Sequence, residues 1–106
     1  MKRLFISQPM KDKTNEEIIE AREKAIEAAK IAVGDNVEVI DSFFKDAPHN
    51  VKPLWFLGKS LEFLSTADVA YFGEGWESAR GCKIEHSCAV AYGIKVIEAD
   101  TSLRGE

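Results

Sequence analysis

Short apolar runs alternate with longer segments of helical periodicity along the whole chain. The runs are predicted strands over residues 4–7, 37–40, 67–72 and 94–99. Strands that alternate with helices need right-handed crossovers, and these build a parallel sheet covered on both faces. The chain is therefore predicted to be one α/β domain over residues 1–106. We expect a small flavodoxin-like or Rossmann-like sandwich whose parallel strands lie in the order 2-1-3-4.

Local signals place the ends of the helices between these strands. Thr14 and Glu17 have the spacing of a capping box, and Gly34 supplies a stop signal for the first helix. Pro53 suits the first position of the second helix, and Gly93 ends the third. The second helix is expected to bury an apolar stripe that consists of Leu54, Leu57, Gly58, Leu61 and Leu64.

Composition and charge exclude several classes of protein. The chain is 45% hydrophobic and 30% charged, which is typical of a soluble globular domain and too apolar for disorder. Its net charge of -4 counts against a nucleic-acid backbone or an anionic membrane as the main partner. No segment approaches the length of a membrane span, and the first apolar run is too short for a signal peptide.

The two cysteines, Cys82 and Cys88, lie six positions apart on the predicted third helix. That spacing is too wide for a disulfide within the helix, so free thiols and a cytoplasmic location are expected. Together with His49 and His86, the cysteines form no zinc-type ligand set. Cys82 and His86 have the spacing of a metal-binding pair but lack further ligands, so we expect no metal.

The predicted fold locates a binding site before any motif is considered. In open α/β sheets, ligands bind beyond the carboxyl ends of the strands, where the winding direction changes. Here that point lies between the first and third strands, where residues 7–10 and 73–78 converge, and Asp41 begins a loop that borders the same crevice. The first of these loops contributes Ser7, Gln8, Pro9 and Met10.

Glu85 stands out on the third helix, because it shares a stripe with small and apolar residues. Gly81, Cys88, Ala89 and Tyr92 lie on the same side, and no Lys or Arg is placed three or four positions from Glu85. A lone carboxylate near a crevice can act as a nucleophile or a general base. The alternative is an ordinary solvated glutamate, since Glu is a common helix former.

The loop before this helix is rich in glycine, which lets the backbone approach a ligand closely at Gly75 and Gly81. Trp76 offers a flat face for a ring, although a tryptophan so placed also suits a capping position over the core. The loop matches neither the GxGxxG spacing nor the GxxxxGK[ST] pattern. We therefore expect no cofactor.

Three segments, FISQPM, STADVAYF and GWESARGCKIEH followed by YGIKVI, carry a family resemblance over nearly the whole chain. The chain resembles the nucleoside 2-deoxyribosyltransferase superfamily, in particular its small phage and bacterial members. Glu85, Ala89 and Gly93 match the family pattern of a glutamate, a small residue and a helix-ending glycine. The resemblance implies that Glu85 attacks the anomeric carbon of a (2-deoxy)nucleoside or its 5′-monophosphate. The sugar would then pass to another base or to water.

The same resemblance implies roles for other residues. Glu77 or Glu62 would assist the leaving base, and Ser7, Lys11 and Ser78 would hold the 5′ end. The expected partner is thus a small nucleoside or nucleotide, and family members are generally dimers or larger. The remaining substrate-binding candidates are Gln8, Pro9, Met10, Asp41, Gly75, Trp76 and Gly81.

Two departures from the family keep a second hypothesis open. Phe5 stands where transferases commonly carry a tyrosine that holds the nucleophile, and Ala79 stands where they carry an aspartate. Both departures favour a nucleotide-binding module without chemistry. A third hypothesis is a protein interface in the crevice, with Trp55 and Phe56 as exposed anchors.

Overall fold

A computed structural model describes residues 1–9, 13–40 and 50–99 of the chain. Within these residues, four parallel strands form one sheet in the order β2-β1-β3-β4, which confirms the predicted fold. The strands are β1 (Lys2–Ser7), β2 (Val37–Val39), β3 (Val69–Phe72) and β4 (Lys95–Glu98). The helices are α1 (Asn15–Val33), α2 (Pro53–Leu64) and α3 (Arg80–Ala91), and a short 3-10 helix (Trp76–Ser78) precedes α3.

The register of the strands brings the carboxyl ends of β1, β3 and β4 to one edge of the sheet. Ser7 is opposite Phe72, and Phe72 is opposite Glu98. All four residues of β3 are buried, as expected for an inner strand of a parallel sheet that is covered on both faces. The loops that follow β1 and β3 therefore start side by side.

Alternation along β1 divides the core into two halves. Leu4 and Ile6 pack on the side of α1, together with Ala25 and Ala29. Phe5 packs on the opposite side with residues that include Leu64 of α2 and Ala89 of α3. Because successive side chains of a strand point to opposite faces, Ser7 shares the face of Phe5. The last side chain of β1 thus faces α2 and α3.

The predicted start and end of α1 are confirmed. The Thr14 hydroxyl accepts a hydrogen bond from the Glu17 backbone at 3.1 Å, and the Glu17 carboxylate accepts one from the Thr14 backbone at 2.9 Å. Gly34 ends the helix with a φ of 71°, in the left-handed region where glycine pays no steric penalty.

The predicted buried stripe of α2 is wrong at its N-terminal end. Leu64 is buried, but Leu54 is 73% exposed and Gly58 is exposed as well. The reason is that the first turn of α2 borders an open groove instead of the sheet. Among the described helices, none is both long enough and apolar enough to cross a membrane.

Candidate functional site

Glu85 lies at the floor of a groove between the N-terminal halves of α2 and α3. The groove has a volume of about 610 Å³, and Glu85 is only 8% exposed within it. Residues from before and within α2 line one side, and the first turns of α3 line the other. They are Lys52, Pro53, Leu54, Phe56, Leu57, Ser60, Arg80, Gly81, Ile84 and Glu85.

The Glu85 carboxylate is held by the Ser7 hydroxyl. Ser7 is 4% exposed, and its Oγ donates to Oε1 of Glu85 at 2.6 Å. Ser60, on α2, lines the same groove as Glu85. No basic side chain among the described residues forms an ion pair with Glu85. The absence of a helical cation partner was predicted, whereas the hydrogen bond from Ser7 was not.

Burial dominates the electrostatics of this site. It raises the pKa of Glu85 above its ordinary value, and the hydroxyl groups of Ser7 and Ser60 partly offset that rise. Burial also raises the pKa of the neighbouring Cys82 thiol; the Ser7 hydroxyl lowers that pKa, and the charge of Glu85 raises it. The thiol is therefore neutral beside a carboxylate that is costly to ionise.

An aromatic stack fixes the loop between β3 and α3. The Trp76 ring stacks on the His86 ring with centroids 4.1 Å apart and an interplanar angle of 13°. His86 in turn contacts the Phe72 ring edge-on and hydrogen-bonds Glu98 at 2.7 Å. One face of Trp76 is therefore covered by His86, so a ligand ring would have to use the other face.

The predicted site residues on this loop are only partly brought to the groove. Gly81 lines it, and a methyl group added there would meet open space. Gly75 has a φ of 87°, which favours glycine, and it lies next to Pro9 instead of the groove. Glu77 and Ser78 are exposed on the 3-10 helix and do not line the groove.

Glu62 lies on α2 away from the groove. It lies two positions after Ser60, and such a spacing turns two side chains to nearly opposite sides of a helix. Glu62 is exposed, and its carboxylate pairs with Lys59 at 3.4 Å. The structure therefore does not bring Glu62 to Glu85.

Gln8 and Pro9 lie at a different cavity. It has a volume of about 390 Å³ and lies between α1 and the carboxyl edge of the sheet, with Tyr71 and Gly73 in its lining. Gly73 lets its backbone lie close to Gln8, since a methyl group on Gly73 would lie 3.0 Å from Cβ of Gln8. Met10, Lys11 and Asp41, also predicted to bind substrate, lie outside the described residues.

The polar groove residues that were missed from the sequence are Ser60, Lys52 and Arg80. The pattern held a signal for Ser60, because it is a hydroxyl residue three positions after Leu57 on the side of α2 that also carries Leu64. Lys52 and Arg80 resemble ordinary surface cations, but each comes immediately at the start of a helix that borders the groove. Only the convergence of the two helices reveals them.

The pH dependence of stability should differ between wild type and Glu85→Gln. The folded state raises the pKa of Glu85 above the ordinary value of 4.5. The stability that the protonated group contributes is therefore fully present below that ordinary value and is lost as pH rises through the folded-state pKa. From about pH 4 to pH 8, the free energy of unfolding of wild type should fall relative to that of Glu85→Gln.

Urea unfolding of both proteins across this pH range measures the difference. Glu23→Gln is the matched control, because Glu23 is exposed on α1. Its profile should follow that of wild type. Parallel profiles for wild type and Glu85→Gln would contradict the raised pKa.

The described residues contain no group of three or more His, Cys, Asp or Glu side chains placed to hold a metal ion. Both cysteines are free thiols.

No protein-family model and no curated protein matches this chain.

Proposed function

We propose that this protein is a nucleoside 2-deoxyribosyltransferase-like enzyme. It cleaves or exchanges the N-glycosidic bond of a (deoxy)nucleoside or its 5′-monophosphate, with Glu85 as the nucleophile. One observation carries the proposal: a buried carboxylate, held by Ser7 at 2.6 Å, lies at the floor of a groove beside the carboxyl ends of β1 and β3. This is the edge at which open α/β sheets bind their ligands.

The proposed reaction proceeds in two displacements. Glu85 forms a bond to the anomeric carbon, and the base leaves with the electron pair of the C–N bond and takes up a proton. An acceptor base or water then displaces Glu85, gives up a proton and regenerates the carboxylate. A poorly hydrated carboxylate suits the first step, because little water has to be removed from it as the oxocarbenium-like centre develops.

The proton for the leaving base is assigned to Glu77. Glu85 is the one carboxylate in the described lining of the groove, so a second acid has to come from its surroundings. Glu77 is exposed on the 3-10 helix just before α3, whereas Glu62 lies on the other side of α2. Glu77 precedes the groove-lining Arg80 by only three residues, which favours it over Glu62.

The test uses chromatography to measure the release of free base from a panel of deoxynucleosides and their 5′-monophosphates. Each substrate is incubated with the protein, with and without a second base as acceptor. Base release that needs the acceptor identifies a transferase, and release without it identifies a hydrolase. If the folded protein releases no base from any substrate of the panel, the proposed enzymatic activity is rejected.

The cationic rim of the groove favours the monophosphate among these substrates. Arg80 and Lys52 are exposed at the rim, and in the described lining the buried Glu85 is the sole opposing charge. We expect Arg80→Ala to raise KM for a monophosphate about tenfold, the usual size of a charge-assisted hydrogen bond. KM for the free nucleoside should change little.

Lys83→Ala is the matched control, since Lys83 is exposed on α3 but does not line the groove. Steady-state kinetics at one ionic strength compare the variants, because salt screens exposed charges. An equal effect of Arg80→Ala on both substrates would contradict a phosphate contact.

A nucleotide-binding module on the same scaffold is the second candidate. It is favoured by Phe5, which is 2% exposed in the core and offers no hydroxyl to Glu85. The module predicts saturable binding of a nucleotide by calorimetry without any free base after long incubation. Detectable base would reject it.

We further propose that the enzyme is cytoplasmic, because its two cysteines are free thiols. We also propose that it is a homodimer. A small sheet with few covering helices would gain buried surface from a second copy. Size-exclusion chromatography with light scattering measures this directly.

A further inference from the structure

We propose that the sugar of the substrate lies against the backbone of Gly81, which has no side chain to fill that part of the groove. Gly81 is in the first turn of α3 and lines the groove together with Glu85. The inference rests on the proposed function, in which Glu85 attacks the anomeric carbon of that sugar. It gives Gly81 one role, contact with the sugar, and leaves the phosphate to Arg80.

The fold itself does not require glycine at position 81. Gly81 has no positive φ. A methyl group added to it would meet no atom of the described residues within 4 Å, beyond its chain neighbours and the backbone of its own helix. Neither the backbone conformation nor the packing therefore excludes alanine, which is the better helix former. Glycine at this point lowers the stability of α3 and gives the free protein no contact in return.

Gly81 lies about one turn before Glu85 on the same side of α3. Residues four positions apart are neighbours on a helix surface, and helical side chains lean toward the N-terminus of their helix. The side chain of Glu85 therefore leans toward the turn that contains Gly81. A nucleophile and the atom that it attacks have to be held about 3–3.5 Å apart. The open space beside Gly81 is thus next to the place where the anomeric carbon has to lie.

The order of residues along α3 gives the substrate a direction. Arg80, the proposed phosphate contact, begins the helix, and Glu85 follows five positions later, about 7.5 Å along the helix axis. In a nucleoside 5′-monophosphate the sugar connects the phosphate to the anomeric carbon, so the sugar has to span this interval. Gly81 lies inside the interval and lines the groove. The 5′ end of the sugar therefore points toward the start of α3.

Gly81→Ala should stabilise the protein and impair its reaction at the same time. We expect Tm to rise by about 2–5 °C, because alanine restricts the unfolded chain and fits the folded one. We expect kcat/KM to fall about tenfold or more, since the methyl group occupies space that the sugar needs. The fall should be equal for a deoxynucleoside and its 5′-monophosphate, which share the sugar. Thermal unfolding and base release measure the two effects.

Gly58→Ala is the matched control. Gly58 is an exposed glycine within α2; a methyl group on it would also meet open space, and it does not line the groove. This variant should raise Tm by a similar amount and leave kcat/KM unchanged. Arg80→Ala provides the contrast, since its effect is expected with the monophosphate alone. A fall in Gly81→Ala that is likewise confined to the monophosphate would overturn the sugar contact.

The remaining outcomes separate the sugar contact from the proposed function. Base release that Glu85→Gln abolishes and Gly81→Ala leaves unchanged would overturn the contact and keep the function. A lower Tm in Gly81→Ala would contradict the open space and overturn the contact as well. If wild type releases no base, calorimetry with the same deoxynucleoside and monophosphate decides. Weaker binding of both ligands to Gly81→Ala, but not to Gly58→Ala, would keep the contact and reject the function; equal binding would reject both.

Discussion

Glu85→Gln should abolish base release while the protein remains folded. We expect a loss of turnover on the order of 10³-fold or more, because the amide keeps the shape of the side chain but cannot form the bond to the anomeric carbon. The fold should tolerate the change, since a neutral amide is less costly to bury than the carboxylate of Glu85. Chromatography of free base and urea unfolding measure the two effects.

Glu23→Gln is the control for removal of one carboxylate from an exposed surface of α1, and it should retain the full rate. A Glu85→Ala variant extends the test, because formate can occupy the space that the side chain vacates in the groove. Partial return of base release with formate would show that the missing group is a carboxylate at that point. Full activity of Glu85→Gln would remove Glu85 from the mechanism.

The sequence was sufficient to predict the fold for a specific reason. The apolar runs at β1 and β3 are short and almost unbroken, as inner parallel strands require, and Gly34 and Gly93 mark the ends of α1 and α3. Side-chain burial in the strands follows a period of two, so Leu4 and Phe5 fall on opposite sides of the sheet as that period dictates.

The site was only partly predictable, because that period ends with the strand. Ser7 is the last residue of β1, and its face follows from Phe5. Gln8 and Pro9 lie beyond the strand, where no periodicity fixes a face, and they turn to the cavity beside α1. Ser60 was overlooked for another reason, since a single serine in an apolar stripe comes to share a groove with Glu85 only when α2 packs against α3.

Phe72→Ala should cause the largest loss of stability among single substitutions in the described core. The Phe72 ring is fully buried in the half of the core that contains Phe5 and Ala89. Truncating such a ring removes its burial and leaves a cavity, which costs about 3–5 kcal/mol. A domain is usually stable by only about 5–15 kcal/mol, so the variant should be near its folding limit. Urea unfolding measures the change.

Tyr92→Ala is the matched control, because this aromatic ring follows α3 and is 84% exposed. Its free energy of unfolding should stay within about 0.5 kcal/mol of wild type. A loss below about 1 kcal/mol in Phe72→Ala would contradict a core centred on this ring.

Phe72 also connects stability to the site, since its ring lies 5.8 Å from Trp76 and 4.9 Å from His86. Removing the ring should loosen the stacked pair and the loop that leads into α3. Phe72→Leu retains most of the buried volume but not the edge-on contact with His86. If this variant unfolds near wild type yet binds nucleotide more weakly, the ring serves the loop as well as the core. Equal losses in stability and binding would instead mean that the loop depends only on the integrity of the fold.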